Sequence, residues 1–188
     1  MNLFGTSSFI EVYDKALTEK ECQIIVSVFE KSEYEFGYTG RGYHPEDKRC
    51  MQMVYSLSKI NPISNILRPS LLRCMDRYYK KYIALEDLSP FDIFDDFNIQ
   101  KYDGEEDGYR RWHCEHGPED DACKRILAWM FYLNDAKSGT EFKYYPNVNG
   151  KVGRCIIWPA GFTHTHKGVI PNKGLKYIAT GWGSLHSW

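Results

Sequence analysis

The pattern of apolar positions along the chain changes near residue 90. Upstream, apolar residues recur at helical spacing in two stretches. The first begins at the capping box Thr18-Glu19-Lys20-Glu21 and should end near Lys31. The second begins at Asn61-Pro62 and should end by Leu85, and Pro69 is expected either to kink it or to mark its true first turn. The pattern therefore predicts two amphipathic helices in this part of the chain.

Short β-favouring segments separated by Gly, Pro, Asn and Asp dominate the rest of the sequence. Strands are predicted at 9–13, 50–57, 96–102, 109–115, 125–134, 140–145, 153–158, 162–167 and 175–182. Many short strands with hairpin punctuation are typical of a sandwich or barrel, with the helices packed on one outer face. We expect a mainly β fold with flanking helices and one domain over 1–188, made of a helical N-terminal support (about 1–90) and a barrel core (about 91–188).

Composition and charge narrow the class of protein. A chain of 188 residues with 43% hydrophobic and 26% charged residues lies within the globular range. The formal net charge of -1 removes the usual electrostatic basis for binding nucleic acid or an anionic membrane. The longest apolar run, 126–133, is far shorter than a membrane span, and no signal-peptide pattern precedes it. We expect a cytoplasmic protein whose six cysteines are reduced.

Three histidines and a glutamate are the candidate metal ligands. His113 and Glu115 are two residues apart, so on a strand both side chains would point to the same side. This spacing alone is weak, because pairs of polar residues are common on solvent-facing strands. His164 and His166 strengthen it, since they share one face of a later predicted strand. Two histidines and one carboxylate form the facial triad typical of non-haem Fe(II), with coordination positions left open.

Lys176 is a second candidate, because it interrupts an otherwise apolar strand. If Pro171 to Gly174 is a turn, a hairpin would place Lys176 close to the position opposite His166. The more common alternative is an edge lysine that reaches solvent. A buried lysine would instead need an anion, such as a dicarboxylate that chelates the metal at its other end.

The order and spacing of these motifs resemble the 2-oxoglutarate and Fe(II)-dependent dioxygenases, specifically their prolyl 4-hydroxylase-like branch. The resemblance covers nearly the whole chain and is carried by short segments: Phe9 to Asp14, Gln100 to Tyr102, Trp112 to Glu115, Tyr132 to Asp135, Gly139 to Phe142, Gly153 to Pro159, His166 to Lys176 and Tyr177 to Trp182. It implies a double-stranded β-helix, the jelly-roll barrel also found in cupins. It also implies Fe(II) and the co-substrates 2-oxoglutarate and O2, with ascorbate as a reductant.

The resemblance assigns roles to residues of this chain. It implies iron ligands at His113, Glu115 and His166, where the ten-residue interval from His166 to Lys176 fits the family and leaves His164 as a neighbour. Lys176, assisted by Tyr132, would bind the distal carboxylate of 2-oxoglutarate. The other implied pocket residues are Tyr102, which lines the cofactor or substrate pocket, and Arg125, near the substrate.

Glu115 departs from the family pattern, and the role of Arg125 depends on the geometry of its strand. The family usually has aspartate where this chain has Glu115, which adds one methylene between backbone and metal. Arg125 and Tyr132 are seven residues apart and would face opposite sides of a regular strand, so the role of Arg125 requires a bulge or a later strand start. The remaining histidines, His44, His116 and His186, are interpreted as surface or loop residues. Four tryptophans are interpreted as barrel core: Trp112, Trp129, Trp158 and Trp182.

Substrate expectations rest on charge and on one loop. The segment from Glu86 to Asp107 contains nine acidic residues and a single basic one. This negative charge favours a neutral or basic substrate over a polyanion. The loop from Gly37 to Asp47, with Tyr38, Arg41 and Tyr43, resembles the family's mobile loop that closes over peptides.

The leading interpretation is a hydroxylase of a prolyl residue in a protein or peptide. The alternatives are a hydroxylase of a free amino acid or other small molecule, and a catalytically silent peptide-binding barrel. The oligomeric state stays open.

Overall fold

The computed structural model describes residues 7–39, 42–88, 90–171 and 174–185. Its helices are α1 (Glu19–Glu30) and α2 (Pro62–Lys81). Its strands are β1 (Glu11–Tyr13), β2 (Glu35–Phe36), β3 (Lys48–Arg49), β4 (Met51–Ser56), β5 (Phe91–Ile93), β6 (Asp96–Asp103), β7 (Gly108–Tyr109), β8 (Arg125–Tyr132), β9 (Gly139–Phe142), β10 (Val148–Asn149), β11 (Cys155–Pro159), β12 (His166–Gly168) and β13 (Leu175–Leu185). Short 3-10 helices occur at Ile83–Asp87, Ala122–Lys124 and Phe162–His164.

The strands form one large and two small sheets, and every pairing is antiparallel. The large sheet has the order β1-β11-β8-β13-β6-β4-β2, with β5 also paired to β13. The small sheets are β10-β9-β12 and β3-β7. The mainly β jelly-roll expected from the sequence is therefore confirmed, and strands from before residue 90 contribute to the large sheet as well.

The two helices cover one face of the large sheet. The Thr18 capping box opens α1, and Lys31 closes it, as predicted. Asn61 caps α2, which continues through Pro69 without ending. Pro69 is exposed, as is Asn65, whose carbonyl loses its usual partner at this point, so neither is buried in an apolar environment. Among the helices in the described ranges, none is long and apolar enough to span a membrane.

The core lies between these helices and the large sheet. Fully buried side chains from the helices meet others from the central strands, among them Phe29, Leu67, Phe97, Trp129 and Ile157. A second, smaller cluster lies on the other face of the sheet and includes Tyr102, Tyr132 and Trp158. The helices thus support the sheet from behind and leave its other face to the small sheets.

Two predicted strands are shorter than expected. In place of a strand at 109–115, β7 ends at Tyr109. The backbone N–H of Arg110 still donates to the Asp47 carbonyl at 2.8 Å, and beyond this bond to β3 the chain has no regular strand before β8. In place of a strand at 162–167, a 3-10 turn precedes β12. His113 and Glu115 therefore do not occupy a regular strand.

The predicted hairpin between β12 and β13 is wrong. β12 pairs with β9, whereas β13 lies between β6 and β8 in the large sheet. The long strands β6 and β8 offer β13 more pairing than the three residues of β12 can. Lys176 and His166 consequently belong to different sheets.

Candidate active site

An isolated antiparallel bridge joins the first and the last of the predicted metal ligands. The N–H of His113 donates to the carbonyl of His166 at 3.0 Å, and the N–H of His166 donates back at 2.8 Å. Glu115 is fixed by its own N–H, which donates to the Ala160 carbonyl at 3.0 Å. These backbone bonds bring side chains from distant parts of the chain to one point, although no regular strand carries the first two.

The ligand atoms of the three residues form a compact cluster. Glu115 Oε1 lies 3.3 Å from His166 Nε2 and 3.9 Å from His113 Nε2, and all three ligand atoms lie within 4.8 Å of one another. In the part of the chain that the structure describes, this is the one group of three such side chains that could hold a metal ion. The grouping proposed from the sequence is thus reproduced by the geometry.

The hydrogen bonds of both imidazoles select the tautomer that binds metals. Nδ1 of His113 lies 3.0 Å from the Arg111 carbonyl, and Nδ1 of His166 lies 2.9 Å from the His164 carbonyl. A carbonyl accepts only, so each Nδ1 carries the hydrogen and each Nε2 lone pair faces the cluster. Two lone pairs and a carboxylate oxygen directed at one point suit a divalent cation, so these residues fit the iron that the resemblance implies.

The second oxygen of Glu115 is held by residues outside the triad. Trp182 Nε1 donates to Oε2 at 2.7 Å. The Arg125 guanidinium lies 3.8 Å from the same oxygen and stacks on the Trp182 ring at 3.6 Å. The carboxylate is therefore oriented with Oε1 toward the histidines.

The electrostatics keep Glu115 and His113 ready to bind a cation at neutral pH. Burial would raise the pKa of Glu115, but its contacts with His166 and His113 and the hydrogen bond from Trp182 outweigh burial and hold the pKa well below its usual range. Burial, together with His166, lowers the pKa of His113 to about 3. Glu115 is thus a carboxylate and His113 a neutral imidazole.

A cavity of about 870 Å³ opens from this cluster, and Lys176 lies in its wall. The ammonium is 3% exposed and donates to the carbonyls of Gly139 at 2.9 Å and Val169 at 3.4 Å. Among the described residues it has no carboxylate in ion-pair range. Burial lowers its pKa to about 8. The alternative of an edge lysine reaching solvent is therefore wrong.

The two tyrosines expected near Lys176 have different places. Tyr102 lines the cavity, its ring 5.5 Å from Lys176 Nζ, and its hydroxyl donates to Gln100 at 2.6 Å. Tyr132 is 1% exposed and is not among the residues that line the cavity. Its hydroxyl lies 2.7 Å from Oγ1 of Thr140, which does line it. We interpret Thr140 as the wall residue and Tyr132 as its support.

The bulge that Arg125 requires is present. Gly183 pairs with Leu127 and Ser184 pairs with Arg125, so Ile126 is an extra residue on β8. The extra residue turns the Arg125 side chain into the cavity. Arg125 therefore lies beside the cluster despite its spacing from Tyr132.

The aromatic residues near the cavity follow the expectations only in part. Trp129 and Trp158 are fully buried, as predicted. Trp112 and Trp182 are half-buried and line the cavity. Trp182 also packs against the smaller core cluster, so the assignment to the core is wrong for Trp112 alone. Trp112 packs under the Lys167 ammonium at 4.7 Å from the ring. The contact of Trp182 with Glu115 had no signal in the sequence, because it depends on the register of β13.

The loop from Gly37 to Asp47 reaches the cavity with one of its tyrosines. Tyr38 lines the cavity and is 49% exposed. Tyr43 is 55% exposed and packs against Phe36, with ring centroids 5.9 Å apart, away from the cavity lining. Arg41 lies outside the described residues.

The other histidines that the structure describes, His44, His116 and His164, are not ligands of the cluster. His164 does not share the face of His166: it ends a 3-10 turn, and its ring nitrogens lie 2.8 Å from the Ser8 carbonyl and 2.9 Å from Thr163 Oγ1. His116 is exposed, with Nε2 against the Arg125 carbonyl. His44 lies 3.3 Å from Glu46 in the loop, and His186 falls outside the described residues.

Acidic residues line the outer part of the cavity. Of the acidic residues between Glu86 and Asp107 that the structure describes, Asp96 is the one that lines the cavity. The others, Glu119, Asp120 and Asp121, follow Glu115 in the sequence and are exposed. The negative rim is therefore real, but most of it comes from a segment that the charge count did not single out.

Comparisons with known proteins agree with this geometry. Residues 97–184 match the family model of the 2OG-Fe(II) oxygenase superfamily. No sequence among the curated proteins matches the chain. The structure is similar to a viral collagen prolyl hydroxylase from Paramecium Bursaria Chlorella virus-1, solved with 2OG, with 16% identity over 95% of this chain and 97% of that chain and a TM-score of 0.69.

Two further solved structures share the fold. A prolyl-4-hydroxylase from Pseudomonas putida has 13% identity over 95% of this chain and 94% of that chain, with a TM-score of 0.68. A prolyl hydroxylase from Trichoplax adhaerens, in complex with a hypoxia inducible factor peptide fragment, has 16% identity over 95% of this chain and 84% of that chain, with a TM-score of 0.72. At these identities the similarity establishes the fold.

Proposed function

We propose that this chain is a 2-oxoglutarate-dependent dioxygenase that hydroxylates a prolyl residue in a protein or peptide. The match of residues 97–184 to the family model of the 2OG-Fe(II) oxygenase superfamily supports the proposal. The observation that carries the proposal is the pairing of the His113, Glu115 and His166 cluster with a buried ammonium in the wall of the same cavity. One feature suits a metal and the other suits an anion, and 2-oxoglutarate needs both.

Each residue then has a distinct task. His113, Glu115 and His166 would hold Fe(II) on one side and leave the remaining positions open. Lys176 would form a charge-assisted pair with the distal carboxylate of 2-oxoglutarate, with Tyr102 and Thr140 beside it. When bound, iron, 2-oxoglutarate and O2 supply the oxidation, in which one oxygen atom enters the substrate while 2-oxoglutarate becomes succinate and CO2. Trp182 and Arg125 keep the carboxylate of Glu115 oriented throughout.

A peptide substrate is supported by the exposed residues that line the cavity. The exposed Tyr38 and the exposed acids Glu119 to Asp121 give the mouth both contact area and negative charge. Such a rim suits an extended, neutral or basic chain better than a polyanion. The Trichoplax structure with a bound peptide fragment shows that this fold accommodates a chain in that protein.

The direct test is mass spectrometry of candidate proteins and peptides incubated with the enzyme, Fe(II), 2-oxoglutarate and O2. We expect a single added oxygen atom on proline, and none with the His166→Ala variant. His164→Ala is the matched control and should retain the activity. Oxygen added only to free amino acids or other small molecules would replace the peptide proposal with its alternative. Stable binding of a peptide without any 2-oxoglutarate turnover would favour the silent barrel.

The loop gives a second test. Replacing residues 38–46 by a short glycine turn should impair hydroxylation of the peptide and spare the slow conversion of 2-oxoglutarate to succinate that occurs without substrate. The separation is expected because the proposed ligands of iron and 2-oxoglutarate lie outside this loop. Equal hydroxylation of a free amino acid with and without the loop would contradict the peptide proposal.

A further inference from the structure

A second buried lysine faces the same cavity and has no role in the proposed chemistry. Lys48 is 5% exposed and lines the cavity on the side of β3 and β7. It pairs across the strands with Tyr109, whose ring stacks on His113 with centroids 3.8 Å apart. The Lys48 ammonium is therefore close to the metal cluster. It is distinct from that of Lys176, which is expected to bind 2-oxoglutarate.

The partners of Lys48 are neutral. Its Nζ donates to the Tyr38 carbonyl at 3.1 Å and to Gln52 Oε1 at 2.9 Å. Within the described ranges, no carboxylate is in ion-pair range of it. An ammonium has three hydrogens, so one donor is left over. The nearest opposite charge that acts on Lys48 is Glu115, which lies beyond ion-pair range and is expected to bind the metal. A buried ammonium with only neutral hydrogen-bond partners is costly, and a bound anion would supply the opposite charge.

The groups beside Lys48 add further donors. Gln52 and Gln100 stand directly opposite each other on β4 and β6, and both line the cavity. Gln52 uses Oε1 to accept from Lys48, and Gln100 uses Oε1 to accept from Tyr102. These bonds orient both amides, so that their Nε2 groups are the remaining polar atoms. The surface made by Lys48, Gln52 and Gln100, here called the donor floor, thus offers hydrogen-bond donors and one positive charge.

We propose that the donor floor is a second carboxylate-binding subsite and that it holds a carboxylate of the substrate. The proposal rests on the proposed function and deepens it, because it assigns Lys176 to 2-oxoglutarate and Lys48 to the molecule that is oxidised. The acidic rim repels polyanions, so the rest of the substrate is neutral or positive. Two sources share this chemistry: the carboxylate of a free amino acid and that of a peptide chain end.

The test compares a carboxylate probe with its neutral counterpart. N-acetyl-L-proline and N-acetyl-L-prolinamide are titrated calorimetrically into protein saturated with Mn(II) and 2-oxoglutarate, where binding occurs without turnover. The parent should bind the carboxylate probe at least about tenfold more tightly than the amide. Lys48→Met should lose this preference and keep its affinity for 2-oxoglutarate. L-proline against glycyl-L-proline then distinguishes a free amino acid from a chain end.

Two further variants guard against misfolding and unspecific charge effects. Gln52→Glu keeps Lys48 but gives it an internal partner, so the preference should disappear here too. Lys167→Met is the matched control, since Lys167 pairs with Glu141 and does not line the cavity. Its preference should match that of the parent.

The failure of this proposal can be told apart from that of the proposed function. If the parent fails to bind 2-oxoglutarate, the dioxygenase assignment of Lys176 is wrong. The donor floor is then tested alone in metal-free Lys176→Met, where the carboxylate preference should persist. Equal affinity for the two probes in the parent, or a preference retained by Lys48→Met, would overturn the proposal.

Discussion

Removing one hydrogen from the side chain that orients Glu115 should weaken metal binding. Trp182→Phe deletes the indole N–H that donates to Glu115 Oε2 at 2.7 Å and keeps an aromatic face for the Arg125 guanidinium. The carboxylate then has Arg125 alone on that oxygen, at 3.8 Å. It is free to rotate away from the histidines.

The size of the effect follows from the kind of bond. A hydrogen bond to a charged group contributes about 1.5 to 3 kcal/mol. At about 1.4 kcal/mol for each factor of ten, complete loss would weaken binding about tenfold to a hundredfold, as is typical for residues that orient metal ligands. Arg125 retains part of the stabilisation, so we expect a value near the lower end.

Anaerobic calorimetric titration with Fe(II) or Mn(II) measures the effect directly. Trp129→Phe is the matched control: Trp129 is fully buried in the other cluster, and its Nε1 has no hydrogen-bond partner among the described residues. That variant should lose stability by leaving a cavity and keep the parent's metal affinity. A folded Trp182→Phe protein with unchanged metal affinity would refute the reasoning.

Three further predictions concern the metal ligands, the co-substrate and the hydrogen bond between Tyr132 and Thr140. His166→Ala should abolish tight Mn(II) binding and His164→Ala should not, by the same titration, because only His166 directs Nε2 at Glu115; the opposite result would exchange the two roles. Burial lowers the pKa of Lys176 to about 8, so the ammonium is lost as the pH rises past that value, and 2-oxoglutarate affinity should fall about tenfold between pH 7 and pH 9. Lys176→Arg should flatten this profile, and a flat profile in the parent would contradict the assignment. Tyr132→Phe should lower the free energy of unfolding in urea by about 1 kcal/mol through loss of the bond to Thr140, and no change would show that the bond contributes nothing.

The sequence predicted the elements and the ligands better than the contacts between them. The capping box at Thr18 and the alternation of β8 are local signals, and the structure reproduces both helices and most strands from such signals. The spacing of His113 and Glu115 pointed to the cluster, although the segment that carries them is not a regular strand. The predicted ligands still meet, because the backbone bridge between His113 and His166 aligns them as a regular strand would have done.

What could not be predicted depends on pairing register. Trp182 meets Glu115 across 67 residues of sequence, and only the position of β13 between β6 and β8 brings them together. The position of Lys176 was anticipated, but through a hairpin that does not form. Lys48 lies on a two-residue strand, too short for any periodicity to mark it as buried.

The positions of His166 and Glu115 in the fold have a consequence for the stability of the molecule. His166 opens β12 of a small sheet, whereas Glu115 is tied through Trp182 to β13 of the large one. A metal ion bound by both residues would link the small sheet to the large sheet at the cavity. Binding at a hundred times the dissociation constant stabilises a native state by about 2.7 kcal/mol. In hydrogen exchange, amides of β9 and β12 should therefore gain protection on metal loading, while the helix-backed strands β8 and β11 should already be slow without it.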